Sequence, residues 1–447
     1  MRASFGPSMR RTGFAVALLS VSAATSFSQL PNASPAAFGM AGNYTAMAKG
    51  YEAVAWNAAN LAMPGRPVFS LGMGALGGTA GLDPVDVTAF HNFSGRVIDN
   101  ATKAAWVDQA RLAGGQRIRV DGGVTPLALS IGPIGLQVGS SLYTNANLSP
   151  DAFEAVLFGN AGATGQPKTL DFTGTSVRSA AFTTGAGSIA LPIPFKLTGG
   201  LLQNERMAIG ITGKYVVGHG LVLAQDDGST VDGTDVQLRF PTITVRTDDT
   251  NNLFTTLPTT EYKGNAGSGM AADVSFAWSG GPWKVGVLAQ NVFNAFKWDT
   301  TMLAYRPGTS STDAADSTGF WQREYGLAPQ ALRDIVEAQR FAPAIAVGMS
   351  FRLLAGLTLT ADMKTHTGGD EAIVIGPRSH FGVGAEWKIL PFIPLRAGVA
   401  SVTDGWQAGV GAGLHFLGYE LGAATSIRRR GLATESGLFV GLIGIGR

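Results

Sequence analysis

The sequence contains no cysteine and little charge. Only 14% of its 447 residues are Asp, Glu, Lys or Arg, whereas soluble domains carry roughly 25%. The absence of cysteine excludes disulfide frameworks, cysteine-ligated zinc, iron–sulfur clusters and thiol catalysis. The shortage of charge argues against a conventional soluble enzyme of this length, because its surface would need more. The net charge of +2 likewise predicts no polybasic surface for nucleic acid.

Long apolar runs and catalytic motifs are also missing from the sequence. Beyond the N-terminal region no run reaches 18 apolar residues, so we expect no membrane-spanning helix. No Gly-x-Ser-x-Gly elbow occurs, and no pair of histidines has the HExxH spacing of a zinc protease. We therefore expect no catalytic residues, no metal site and no cofactor.

The first 28 residues have the three parts of a secretory signal peptide. Arg2, Arg10 and Arg11 precede the apolar stretch 13–21, and small residues follow through Ser28. The alternative interpretation is a disordered tail with a chance apolar run. We predict that residues 1–28 form a signal peptide and that the mature protein is exported.

Glycine and residue alternation are abundant. The 61 glycines make up about 14% of the chain, roughly twice normal usage. In residues 381–389 the odd positions are Phe, Val, Ala, Trp and Ile, and the even positions are Gly, Gly, Glu and Lys. Such alternation predicts a strand with two different faces. Segments of nine to eleven residues match the length that a tilted strand needs to cross a bilayer.

The predicted connections between strands alternate between tight and long. Tight links are predicted at 132–133, 279–282, 353–356, 390–394 and 416–419. Long links are predicted at 78–116, 145–170, 225–263, 297–340, 367–378 and 429–436. A soluble β-sandwich would also show alternating faces, but it has no reason to place short turns at one end and long loops at the other. This arrangement is typical of an outer-membrane barrel.

These patterns predict an all-β fold, a 14-stranded antiparallel transmembrane β-barrel over residues 66–447. Residues 235–246 also alternate, and we interpret them as part of an extracellular hairpin or loop. The alternative is a sixteen-stranded barrel in which this region supplies a spanning pair.

The segment before the barrel, residues 29–65, is rich in alanine and glycine and does not alternate. It resembles the N-terminal region of the FadL-type outer-membrane transport proteins, which include PorV-like barrels. There, an Asn-Pro-Ala-Gly-Leu-like signature precedes the first strand. The matching positions here are Asn57, Ala58, Ala59, Asn60 and Leu61, with Ala58 in place of proline and Asn60 in place of glycine. The resemblance implies that residues 29–65 form a hatch, or plug, in a barrel through which hydrophobic molecules diffuse. A disordered linker is the alternative.

The strand face opposite the apolar one is expected to line the lumen. Its charges are mixed in sign, which indicates pairing inside the barrel and not an ion-selective ring. The predicted lumen-lining residues are Arg352, Asp362, Lys364, Glu386, Lys388, Arg396, Gln407, His415, Glu420 and Arg428.

Two stretches in the long loops, 151–158 and 329–341, have helical spacing of apolar residues. We hypothesise that they contribute to an outward-facing apolar groove that captures ligand, although caps over the barrel mouth would look the same in sequence. The candidate capture residues are Phe90, Phe93, Trp106, Leu332, Ile335 and Val336.

Taken together, the patterns and the resemblance predict a non-enzymatic barrel in the outer membrane of a diderm bacterium. Its partners would be outer-membrane lipid and a hydrophobic, long-chain-fatty-acid-like small molecule that it takes up passively or binds. One alternative is a PorV-like binding or scaffold barrel with a partner in a secretion or surface-attachment system. Another is a hydrolase embedded in a barrel.

Overall fold

The structure is a computed structural model of the whole chain. It describes residues 30–31, 35–166, 168–233, 235–247, 265–311, 317–369, 371–403, 405–430 and 433–446. The predicted signal peptide lies outside the described residues. None of the described helices is long and apolar enough to span a bilayer.

Fourteen antiparallel strands form one closed sheet, which confirms the predicted strand count and barrel class. The strands are β1 (Phe69–Asp83), β2 (Gln116–Ile131), β3 (Ile134–Leu148), β4 (Ser176–Ile193), β5 (Arg206–Gln225), β6 (Gly267–Gly280), β7 (Trp283–Asn294), β8 (Ala344–Leu354), β9 (Leu357–His366), β10 (Ser379–Leu390), β11 (Ile393–Val402), β12 (Gly405–Phe416), β13 (Tyr419–Arg430) and β14 (Ala433–Gly446). Each strand pairs with its neighbours in the chain, and β1 pairs with β14 from Ser70 opposite Gly446 to Leu82 opposite Thr434. The last pairing leaves no open sheet edge in the barrel.

The two faces of the wall differ as the alternation predicted. On β10, Phe381, Val383 and Trp387 are exposed on the outside, while Gly382 and Glu386 are buried on the inside. The same alternation exposes large apolar side chains around the other strands. An apolar outer wall on a closed barrel is the surface that contacts lipid.

The two rims of the barrel differ in the length of their connections. At one, the tight-turn rim, the links are 132–133, 194–205, 281–282, 355–356, 391–392 and 417–418. At the other, the long-loop rim, they include 84–115, 149–175, 226–266, 295–343 and 367–378. The predicted long link at 429–436 is wrong, because β13 and β14 remain paired up to Arg430 opposite Ala433. The outer neighbours of this pair, β12 and β1, extend equally far toward the long-loop rim. Strands β13 and β14 can therefore stay paired on both sides up to their link.

The long-loop rim carries the helices. They are α3 (Val87–His91), α4 (Asn100–Ala113), α5 (Pro150–Phe158) and α6 (Gln330–Ala338). The helices predicted at 151–158 and 329–341 correspond to α5 and α6, whereas α4 was not predicted. It begins after Asp99, whose side chain accepts a hydrogen bond from Thr102 N, and ends at Gly114 in the left-handed region.

Residues 235–246 also lie at the long-loop rim. Strand 235–239 joins a four-stranded sheet with 169–171, 230–232 and 309–311. Strand 242–245 pairs with the end of β5 and with 303–306. The interpretation as a loop hairpin holds, and the sixteen-stranded alternative is wrong.

Candidate functional site

The described N-terminal segment, residues 35–65, lies inside the barrel. It contains α1 (Pro35–Gly39), α2 (Ala53–Trp56) and the 3₁₀ turns 50–52 and 58–62. Its alanine-rich composition keeps it narrow, and almost all of residues 35–63 are buried. We call the inner wall that it contacts the seat.

Glycine on the seat allows the backbones to touch. A β-carbon at Gly398 would overlap the carbonyl oxygen and Cα of Met40, and one at Gly210 would overlap the backbone of Ala58 and Ala59. A β-carbon at Gly39 would in turn lie 2.9 Å from the Cα of Gly411. Real β-carbons do not approach backbone atoms this closely, so the fit requires glycine at these positions.

The segment also contacts the wall on the opposite side of the lumen. A β-carbon at Gly72 would lie 2.6 Å from the ring of Tyr51, and one at Gly135 would lie 2.5 Å from Val54 Cγ2. The segment therefore contacts strands on opposite sides of the barrel.

Side-chain amides fasten the segment to carbonyl groups of the wall. Asn43 Nδ2 donates to Val383 O at 3.0 Å and to Val399 O at 3.3 Å. His380 Nε2 lies 3.1 Å from Asn43 Oδ1. On another part of the wall, Thr45 N donates to the buried carboxylate of Asp362 at 2.9 Å.

The five residues that carry the family resemblance form a capped turn on the seat. Asn57 Oδ1 accepts from Ala59 N at 3.1 Å, and Asn57 Nδ2 donates to Phe276 O of β6 at 3.0 Å. Asn60 Nδ2 donates to Thr45 O at 3.1 Å, which ties the turn to an earlier part of the segment. Ala58, Ala59 and Leu61 are buried. The backbone of Ala58 and Ala59 lies directly against Gly210 of β5.

Most of the predicted lumen-lining residues lie in two groups. Near the tight-turn rim, Glu386 accepts from Arg396 at 2.9 Å, and Glu420 lies 2.8 Å from His415 and 3.7 Å from Arg396. Toward the other rim, Arg428 Nη2 donates to Gln407 at 2.9 Å. Of the remaining predicted residues, Asp362 accepts the hydrogen bond from Thr45 N, and Lys364 is half-buried. Arg352 and Lys388 are exposed at the tight-turn mouth.

The lumen also contains a buried ion pair whose lysine was not predicted. Lys214 Nζ donates to Asp273 at 2.5 Å and to Asn291 at 2.7 Å. The available signal was the alternation of β5, which places Lys214 on the same face as Gly210. Asn43 was missed as well, because a single amide in an alanine-rich run carries no periodic signal.

The structure separates the six candidate capture residues into two clusters. Phe90 and Phe93 pack on Trp106, with ring centroids 4.8 and 5.8 Å away. Leu332, Ile335 and Val336 of α6 instead belong to a cluster that includes rings from the barrel wall and the long loops. We call four of its aromatic members, Phe182, Phe296, Trp298 and Phe341, the outer aromatic cluster.

Phe182 is central to the outer aromatic cluster. Its ring centroid lies 5.5 Å from Phe296, 5.6 Å from Trp298 and 4.9 Å from Phe341. A polar chamber of about 350 Å³ lies near this end of the lumen, lined among others by Arg119, Tyr143, Arg178, Glu371 and Arg428. Within the described residues, no group of three or more His, Asp or Glu side chains is placed to hold a metal ion.

Comparison with known proteins gives remote structural similarity. No protein-family model matches the sequence, and no curated protein matches it. The toluene transporter TodX of P. putida is similar, with 10% identity over 92% of this chain and 98% of that one and a TM-score of 0.47. The Ralstonia pickettii toluene transporter TbuX has 12% identity over 92% and 97%, with a TM-score of 0.47. A Pseudomonas aeruginosa FadL homologue has 12% identity over 95% and 99%, with a TM-score of 0.48. At such low similarity, the function of this chain has to be inferred from its own contacts.

Proposed function

We propose that this protein is an outer-membrane barrel of the FadL type that takes up hydrophobic small molecules passively. One observation carries the proposal: a closed barrel with an apolar outer wall holds its own N-terminal segment across the lumen. In this proposal residues 1–28 are the signal peptide, residues 29–65 the hatch and residues 66–447 the barrel. No catalytic step is part of the mechanism.

The outer aromatic cluster is the proposed entry point for cargo. It combines wall residue Phe182 with loop residues, so a molecule that binds there is already at the mouth of the lumen. Aromatic rings offer large apolar surfaces that suit hydrophobic ligands. The capture role proposed for Leu332, Ile335 and Val336 therefore includes these rings. A second apolar cluster consists of Phe90, Phe93 and Trp106. We propose that it forms a surface of the long-loop rim separate from the entry point.

Passage then requires the hatch to shift from the seat. The seat bonds are hydrogen bonds from side-chain amides and main-chain N–H groups, so they can break without any covalent change. Asn43 and Asn57 are the proposed fastenings, and the charged lumen-lining residues keep the rest of the lumen hydrated. Release of cargo follows when the turn 57–61 leaves β6.

Uptake of labelled oleate by a diderm host without its own long-chain fatty-acid barrel tests the proposal. Cells that express the protein should accumulate oleate several-fold faster than vector controls. Phe182→Ala should lower uptake, whereas Phe93→Ala, in the other cluster, serves as the matched control. Heat-dependent gel mobility verifies that each variant is folded in the membrane.

The result that would overturn the proposal is a folded, membrane-inserted protein that takes up neither oleate nor toluene above the vector control. If the same protein co-purified with a secretion or surface-attachment component, the scaffold alternative would replace transport.

A further inference from the structure

Cationic side chains collect at the tight-turn mouth of the lumen. Lys284 of β7 faces Ser350, and Arg352 follows two residues later on the same inward face of β8. Arg352 faces Thr358 of β9, which faces Glu386 of β10. Lys388 lies two residues beyond Glu386 on the same face. Three cations thus occupy the inward face of four adjacent strands, close to their turns.

The hatch adds a fourth cation to this cluster. Lys49 is exposed immediately before the 3₁₀ turn 50–52, and the adjacent Gly50 lies against Ser70 at the tight-turn end of β1. Desolvation at the mouth, followed by the positive charge of Lys388, lowers the pKa of Lys49, while the negative charge of Glu386 opposes the shift. The hatch thus adds a cation to the mouth that the wall cations line.

The cluster has more positive than negative charge. Among the described residues, the side chains of Lys49, Lys284 and Arg352 form no hydrogen bond or ion pair. Lys388 has only Glu386, at 3.7 Å, and that carboxylate is already bound by Arg396 at 2.9 Å.

The other carboxylates nearby are also engaged. Glu420 contacts Arg396 and His415, and Glu52 accepts from the hydroxyl of Tyr44. The five cations Lys49, Lys284, Arg352, Lys388 and Arg396 thus face the three carboxylates Glu52, Glu386 and Glu420. The cluster therefore has two more cations than carboxylates, and Lys49, Lys284 and Arg352 are its cations without a carboxylate partner in the part of the chain that the structure describes.

We propose that this cluster binds a doubly charged oxyanion of the phosphate class and that the bound anion clamps the hatch onto the seat. Without the anion, repulsion between Lys49 and the wall cations weakens seating. With it, the same four side chains donate charge-assisted hydrogen bonds to one group. Because Lys49 belongs to the hatch and the others to the wall, the anion binds the seated state better and shifts the population toward it. The proposal deepens the transport proposal and rests on it for the role of the hatch.

Hydrogen–deuterium exchange of the full-length protein in a phosphate-free maltoside detergent tests the site. The readout is exchange of backbone amides in residues 35–62, with sodium phosphate compared against sodium chloride of equal ionic strength. We expect 10 mM phosphate to slow this exchange at least fivefold relative to chloride. Lys284→Met with Arg352→Met should abolish the effect, and Lys49→Met should weaken it. Lys196→Met, an exposed lysine in the 194–205 link of the same rim, should leave it intact.

A second arm replaces inorganic phosphate with short-chain phosphatidic acid. Protection by either source that depends on Lys284 and Arg352 supports the site and identifies where the phosphate comes from. Equal exchange in phosphate, phosphatidic acid and chloride, or protection that survives in the double variant, would overturn it. Oleate uptake is scored separately. Phosphate-dependent protection without uptake would refute transport alone, whereas uptake without such protection would refute the anion site alone.

Discussion

The seat and the outer aromatic cluster are both buried, yet they are built from opposite kinds of residue. On the seat, glycine and alanine bring two backbones into contact, and amides such as Asn43 bond wall carbonyls. In the outer aromatic cluster, large rings meet mostly edge to face. Close backbone contact accepts only one shape, because any added atom must displace main chain. Ring surfaces tolerate many apolar partners. The seat thus suits the proposed hatch, which has one shape, and the outer aromatic cluster suits the proposed entry of varied apolar cargo.

Adding a side chain to the seat should produce the largest effect. In Gly398→Val, the new β-carbon would overlap the backbone of Met40, which cannot move aside as a flexible side chain could. We expect the hatch to lose about 3 kcal/mol of seating free energy, the upper end for overpacked sites. Exchange of amides 35–62 should rise by more than tenfold. Gly213→Val is the matched control, because a β-carbon at Gly213 meets no atom within 4 Å. Equal exchange in both variants would contradict the proposed fit.

The helical region at the long-loop rim contains a buried carboxylate, Glu154. Its protonation should have the next largest effect, a loss of local stability in these loops. Glu154 accepts from Lys168 Nζ at 2.8 Å and from Ala163 N at 2.7 Å, and it also pairs with Arg111. Although burial opposes ionisation, the hydrogen bonds from Lys168 and Ala163 and the charges of Lys168 and Arg111 hold the pKa of Glu154 below its ordinary value. Because the pKa of Glu154 is lower in the folded state, its ionised form stabilises the folded loop at any pH above the ordinary pKa of a glutamate. This stabilisation is lost as the pH falls through the lowered pKa.

Exchange protection of α5 measured across this pH range checks the prediction. The protection factor should fall with decreasing pH in the parent protein and stay nearly flat in Glu154→Gln. Parallel pH profiles would show that Glu154 is not the responsible group. The hatch amides should not follow this titration.

Removing one amide from the seat should have an intermediate effect. Asn57→Ala deletes the bond to Phe276 O and the cap on Ala59 N. Because both partners are inside the barrel, we expect a loss of about 1–3 kcal/mol, seen as faster exchange across 57–62. Asn160→Ala removes a comparable bond to Gly233 O in an exposed loop, and it should leave hatch exchange unchanged. Unchanged exchange in Asn57→Ala would mean that packing against the seat, without this hydrogen bond, holds the hatch in place.

The smallest effect is expected at an ion pair across the outer mouth. Arg178 of β4 donates to Glu371 at 2.8 Å, and both side chains are 37% exposed. Exposed pairs contribute at most about 1 kcal/mol, so Arg178→Met should change the unfolding midpoint little and oleate uptake less than twofold. A large loss of uptake would show that this pair, and not the aromatic rings, controls entry.

The barrel was predictable because its sequence signals repeat: apolar and polar residues alternate along each strand, and short and long links alternate between strands. Alternation and loop length set the strand count within narrow bounds. The end of β1 was missed, since Gly77 and Gly78 hide the alternation although both pair with β2 and β14. The last link was overestimated because the pattern does not show that the neighbouring strands continue.

The seat was not predictable, because its contacts join residues far apart in the chain. Asn43 meets Val383 and Val399 only after the barrel has closed. In the sequence alone, glycines on the inward face are consistent both with room for a plug and with barrel curvature. The structure places Gly409 and Gly411 against the hatch backbone. The candidate capture residues fell into two clusters because their loops leave the barrel at different strands, which the sequence pattern does not relate.

In the proposed mechanism, cargo passes only when the hatch leaves the seat. A β-carbon at Gly384 would lie 3.2 Å from Met40 Cβ, close to the 3.5–4.5 Å span of a disulfide. Because the chain has no cysteine, Met40→Cys with Gly384→Cys introduces a single possible disulfide that ties the hatch to the wall. Oleate uptake should stop when this pair is oxidised and return when dithiothreitol reduces it. Uptake at the reduced rate by fully cross-linked protein would contradict the claim.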